Sequence, residues 1–108
     1  MVPLVSNNLD KIRAICERFG VARLELFGSA ARNDFDPAKS DIDFIVEFID
    51  HGTGISDRYF GLTHALEDLL GRPVDIGFAR TLKNPYFIAE IEADRTILYE
   101  SENRIAAA

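Results

Sequence analysis

The 108-residue chain carries 12 basic and 18 acidic side chains, a net charge of −6, and is 47% apolar and 28% charged. That length predicts one domain over residues 1–108, with a core burying about 65% of the unfolded chain's surface, and the composition is that of an ordinary soluble globular protein. The acidic balance argues against broad binding to nucleic acid or an anionic membrane, but leaves room for a nucleotide whose charge divalent metal would offset.

Cys16 is the single cysteine, so no intramolecular disulfide can form, which is compatible with a reducing cytoplasm. The opening MVPLVSNN lacks the basic-then-apolar layout of a signal peptide, and no long apolar run follows. A cytoplasmic location is expected.

Asn7 and Asp10 have capping-box-like spacing, and Leu9, Ile12, Ile15, Cys16 and Phe19 recur at helical intervals up to Gly20, which ends a first helix. Within that stripe Cys16 reads as a small buried hydrophobe rather than a reactive thiol. Val21 to Phe27 alternates as a first strand, with Leu24 and Leu26 opposite Arg23, Glu25 and Phe27. Arg23 and Glu25 are assigned to a solvated strand edge. Asn33 to Pro37 is a turn-rich loop. Asp41 to Phe48 forms a second strand, whose run Phe44-Ile45-Val46 is apolar on both faces, as in an interior strand.

Asp50 to Gly54 reads as a flexible connection. A helix from about Asp57 to Leu70 carries Tyr59, Leu62, Thr63, Leu66, Leu69 and Leu70 as its core stripe and closes at Gly71. Pro73 to Phe78 is a third strand, short and central, with Val74 and Ile76 on one face and Asp75 and Gly77 on the other. Asn84-Pro85 opens another helix, Thr96 to Tyr99 makes a final strand, and the core spans about residues 7–100, with 101–108 a frayed tail. His51 and His64 have no second histidine or cysteine at ligand spacing and are taken as structural, and Lys83 as a surface lysine. The pairs Tyr59, Phe60 and Tyr86, Phe87 are assigned to core or partner interface.

The chemistry concentrates between Leu24 and Phe48. An apolar strand ends in Gly28-Ser29, an eleven-residue connection runs from Ala30 to Ser40, and a second strand opens with Asp41-Ile42-Asp43. On a strand the outer residues of Asp41-Ile42-Asp43 share one face. Gly28 allows a sharp turn and close approach to a bound group. Ser29 with Ala30-Ala31-Arg32 reads as the start of a short helix, whose free N–H groups favour an anion. A phosphate cradle beside two hard oxygen ligands suits a metal–nucleotide complex. Asp75 is the strongest candidate for a third carboxylate, because a charge between Val74 and Ile76 in an apolar strand is costly unless paired or metal-bound.

GSAAR, eleven positions and then DIDFIVEF resemble the signature of the DNA polymerase beta-like nucleotidyltransferase superfamily, and within it the minimal nucleotidyltransferase (MNT) proteins, antitoxins of HEPN–MNT toxin–antitoxin pairs. The order of features, through GRPVDIGF and a closing helix–strand pair, follows the family over residues 9 to 100. Two departures fall in the connecting loop: it is one residue longer than is common, and Asn33 stands where glycine often follows the arginine.

The resemblance implies an α/β fold with a small mixed sheet and helices mainly on one face. It implies two Mg²⁺ ions bound by Asp41, Asp43 and Asp75, with ATP phosphates held by Gly28 and Ser29. Arg32 either contacts phosphate or pairs with a loop aspartate. The implied activity is transfer of AMP to a tyrosine of a HEPN ribonuclease toxin, in a possible hetero-oligomer and without direct nucleic-acid or membrane binding. An antitoxin that neutralises its toxin by occlusion alone is the competing reading. A small-molecule nucleotidyltransferase is the weaker third, since the relatives of that kind carry an acceptor-binding domain for which this chain has no length.

Overall fold

The computed structural model describes residues 3–27, 42–50, 52, 54–78 and 96–101. Residues 28–41, the expected helix from Asn84-Pro85 and residues 102–108 lie outside them. The described elements are helices α1 (Pro3–Ser6), α2 (Leu9–Arg18) and α3 (Ile55–Leu70), with strands β1 (Val21–Phe27), β2 (Ile42–Phe48), β3 (Val74–Phe78) and β4 (Thr96–Glu100).

The four described strands form one mixed sheet in the order β3-β2-β1-β4. β1 is antiparallel to both β2 and β4, whereas β2 and β3 run parallel and are joined through α3. A parallel pair needs such a crossover, because a tight turn can only reverse the chain.

The first helix does not begin as expected. Pro3–Ser6 already forms a helical turn, and the backbone N–H groups of Asn7 and Asn8 donate to the carbonyls of Pro3 and Val5. Asn7 is therefore in the joint between two helices and not a cap. Asn8 takes the N-cap position of α2 without a side-chain cap, since its Nδ2 donates backwards to Leu4 O at 2.8 Å.

Alternation along the strands fixes which side chains meet the helices. Ile42, Phe44, Val46 and Phe48 of β2, Leu24 and Leu26 of β1, and Ile76 of β3 pack with Ile12 and Cys16 of α2 and Leu62, Leu66 and Leu70 of α3 in one buried cluster. Burial pushes the Cys16 thiol up to about 12, as expected of a core residue kept from water. Two contacts tie the helical layer to the sheet edges. Arg13 Nε of α2 donates to Leu98 O of β4 at 3.0 Å, and Tyr59 Oη of α3 donates to Ile76 O of β3 at 2.8 Å.

Two sequence expectations fail on strand neighbours. β3 is the edge of the described sheet rather than its centre, and β1 is interior rather than an edge. Five residues of correct period specify a strand but not who pairs with it.

The α2–α3 contact depends on a missing side chain. A Cβ at Gly61 would stand 2.5 Å from Cε1 of Phe19, whose ring also lies under the Arg18 guanidinium at 4.8 Å. Gly61→Leu is expected to lose about 1–3 kcal/mol by overpacking, read as a lower urea midpoint. In a Phe19→Ala background the penalty should shrink; an undiminished loss would place the conflict elsewhere.

Candidate active site

The site is built on the sheet face turned away from α2 and α3. Arg23, Glu25 and Phe27 of β1, Asp43, Ile45 and Glu47 of β2, and Asp75 and Gly77 of β3 share it by alternation and register. Cross-strand pairing arranges them in rows. Phe27 is the partner of Asp43, and Asp43 is the partner of Asp75.

Asp43 and Asp75 thus stand side by side on adjacent strands, about 4.8 Å apart in the pairing direction. The end of β1, which leads directly into residue 28, lies on the other side of Asp43. Glu67 Oε2 of α3 accepts the Val74 N–H at 3.2 Å, and Pro73 O accepts the Ile42 N–H at 3.4 Å, so the start of β3 is pinned to both α3 and β2.

Like charges placed directly opposite each other on a sheet are destabilising by a few tenths to about 1 kcal/mol. A cation shared between them reverses that sign, and oxygen-only ligands at this spacing suit a hard divalent ion. The donor set therefore fits such an ion. Asp41, which the i, i+2 pattern puts on the same face, lies outside the described residues, as do Gly28, Ser29 and Arg32. Among the described residues no group of three His, Cys, Asp or Glu is placed to hold a metal ion; His64 is exposed on α3.

The desolvation expected of Asp75 from its apolar strand is not observed. Asp75 is exposed at the sheet edge, so it carries no heavy desolvation cost. What singles it out is register with Asp43.

Sequence reasoning also missed the charged network one step along the same face. Glu25 is only 5% exposed, and its Oε1 accepts from Arg23 Nη1 at 3.1 Å; Arg23 Nε lies 3.4 Å from Glu100 Oε2 on β4. Arg23 pairs across the strands with Glu47 and Glu100, and Glu25 with Ile45 and Ile97. The interior position of β1 makes this a structural ion pair rather than a solvated edge. The signal available in the sequence was the opposite-charge pair at i, i+2, which puts both groups on one face. Glu25 stands diagonally from Asp43, about 7–8 Å away, so the face that holds the two aspartates is acidic beyond them.

A nucleotidyltransferase domain model matches residues 9–98. The chain belongs to the nucleotidyltransferase domain family. This nucleotidyltransferase is an enzyme, and its small mixed sheet with helices matches the fold of a minimal nucleotidyltransferase. It is 41% identical over 78 residues to MJ0128 of Methanocaldococcus jannaschii, named as a candidate protein adenylyltransferase, covering 72% of this chain and 76% of that one.

Among solved structures, a candidate minimal nucleotidyltransferase superposes with a TM-score of 0.70 at 29% identity, over 85% of this chain and 90% of that one. The nucleotidyltransferase also shares its fold with one chain in the structure of a tri-AMPylated Shewanella oneidensis HEPN toxin in complex with MNT antitoxin. There the TM-score is 0.61 at 19% identity, over 94% of this chain and 77% of the other. No described helix of the nucleotidyltransferase is long and apolar enough to cross a membrane.

Proposed function

We propose that this nucleotidyltransferase is a protein adenylyltransferase that moves AMP from ATP onto a tyrosine of a HEPN-domain toxin, acting as that toxin's antitoxin. The observation that carries the reading is the in-register pair Asp43–Asp75, set beside the end of the strand that leads into Gly28-Ser29. The names of the archaeal relative and of the AMPylated toxin complex support the direction of the chemistry and the class of partner.

In this reading Asp41, Asp43 and Asp75 would hold two Mg²⁺ ions. When bound, the ions lower the pKa of the attacking hydroxyl and offset charge on the departing pyrophosphate. Asp41 and Asp43 would supply carboxylate oxygens to them. Asp75, at the edge and open to solvent, faces the incoming hydroxyl and takes its proton. Gly28 supplies backbone N–H and Ser29 its hydroxyl to the β- and γ-phosphates, with Arg32 as a further phosphate contact. The hydroxyl oxygen forms a bond to the α-phosphorus, the bond from that phosphorus to the bridging oxygen breaks, and pyrophosphate leaves.

The test is the intact mass of a co-expressed HEPN partner after incubation with this protein, ATP and Mg²⁺. One or more AMP additions are expected. An unchanged mass with a stable complex would replace the proposal with neutralisation by binding alone. An unchanged mass without a complex would remove the partner as well.

A further inference from the structure

Asp75 stands on an edge. Among the described strands β3 has a neighbour on one side only, β2, and the register that brings Asp75 beside Asp43 sets two like charges against each other. That repulsion favours opening of the edge whenever no cation is shared between the carboxylates. An uncovered edge is also free to open locally or to pair with another chain.

Two side chains of α3 cover this one. Ile42 N–H donates to Pro73 O, so residue 75 turns its peptide groups toward β2, and residues 74 and 76 turn theirs outward. The outward Val74 N–H donates to Glu67 Oε2 at 3.2 Å, and the outward Ile76 carbonyl accepts from Tyr59 Oη at 2.8 Å. Asp75 lies between the two anchored residues. The Tyr59 ring is itself seated on β3, stacked on Phe78 with centroids 5.0 Å apart. Leu62 and Leu66 of α3 pack with Ile76 on the face opposite the carboxylates, so Glu67 and Tyr59 reach Asp75 through its backbone.

We propose that Glu67 and Tyr59 form a two-point clamp on the edge of β3 that positions Asp75 against Asp43. The inference rests on the function proposed above, in which Asp75 would hold Mg²⁺. Both are positioning residues, since they fix the strand on either side of Asp75 and touch neither metal nor nucleotide. Preset spacing of the carboxylates matters because Mg²⁺ demands near-ideal octahedral geometry. Groups that orient a metal ligand typically carry about 10–100-fold in metal affinity.

The experiment titrates Mg²⁺ at a fixed concentration of a non-hydrolysable ATP analogue and reads the midpoint of the rise in melting temperature. Hydrogen exchange of the Val74 amide is followed in parallel without metal. Wild type is compared with Glu67→Ala, Glu67→Gln, Tyr59→Phe and Arg13→Met. Glu67→Gln keeps an accepting oxygen without the charge, and Tyr59→Phe keeps the ring on Phe78 without the hydroxyl. Arg13→Met is the control, because Arg13 Nε donates to Leu98 O on β4, at the opposite edge of the described sheet.

Glu67→Ala and Tyr59→Phe are each expected to raise the Mg²⁺ midpoint about tenfold, and Glu67→Ala to speed Val74 exchange about tenfold. Glu67→Gln should stay within about threefold of wild type in both. Arg13→Met should lower the metal-free melting temperature and leave the Mg²⁺ midpoint unchanged. Tyr59→Phe carries the test if Glu67→Ala fails to fold.

A midpoint unchanged in the clamp variants overturns the inference while leaving the proposed function standing. A Glu67→Gln midpoint as high as that of Glu67→Ala overturns it by assigning the effect to charge. A midpoint raised equally in Arg13→Met overturns it by making the effect one of general stability. A wild type whose melting temperature does not respond to Mg²⁺ with the analogue removes the functional reading itself, and the inference with it.

Discussion

Asp43→Asn and Asp75→Asn are each expected to lower AMP transfer by on the order of 10³-fold, and Asp75→Asn to leave the protein at least as stable as wild type. Ligand removal at a metal-assisted centre forfeits several kcal/mol of transition-state stabilisation, and each 1.36 kcal/mol is tenfold in rate. Stability moves the other way. Asparagine keeps the size and hydrogen-bonding reach of aspartate, neither residue belongs to the buried cluster, and Asp75 is exposed. Neutralising one member of a directly opposed like-charge pair relieves about 0.2–1 kcal/mol without metal.

A second readout separates loss of the ion from loss of fold. Mg²⁺ with a non-hydrolysable ATP analogue should raise the wild-type melting temperature, because a ligand that binds only the native state stabilises it. Neither variant should show that rise. An Asp75→Asn enzyme retaining transfer within about tenfold would remove Asp75 from the catalytic set, whatever its register with Asp43.

The sequence carried the pattern of the site further than its surroundings. Spacing of two predicts Asp41 and Asp43 on one face, and alternation between Val74 and Ile76 predicts Asp75 on a face of its strand; Asp41 lies outside the described residues, and Asp43 and Asp75 stand in register. What was not legible depends on partners distant in the chain. β3 reads as central from its apolar period but lies at the described edge, so register with Asp43, and not desolvation, distinguishes Asp75. Arg23 and Glu25 were placed on a solvated edge because nothing in a seven-residue strand reveals that it has neighbours on both sides.

The same limit explains the start of α2. Spacing nominated Asn7, whereas the turn at Pro3–Ser6 had already committed its backbone. The helix α3 was legible almost throughout, since its stripe needs only period and its terminus only Gly71, which sits at φ 68°. The family resemblance, by contrast, rested on the order of several local features, and order is what a single chain preserves best.

Phe44→Ala should be the most damaging single truncation adjacent to the site, with a loss of about 3–5 kcal/mol. Phe44 is fully buried and follows Asp43 directly, with its ring on the helical face while the carboxylate lies on the other. It is flanked in register by Leu26 and Ile76, and the buried cluster also holds Leu62 and Leu66 of α3. The cavity left by removing the ring cannot be filled by a shift of β2, because β2 is hydrogen-bonded to a strand on each side.

Set against a total stability of about 5–15 kcal/mol for a domain of this size, that loss takes the chain close to the unfolding threshold. Urea denaturation is the measurement, with Phe44→Leu as the milder companion expected to lose under about 1.5 kcal/mol. A Phe44→Ala loss below about 1 kcal/mol would show that the core behind the aspartate row relaxes, contrary to close packing. If the loss is as large as expected, Phe44→Leu gives the more informative enzyme. It should fold, and a fall in its transfer rate beyond its unfolded fraction would show that the ring positions the row on which Asp43 and Asp75 stand.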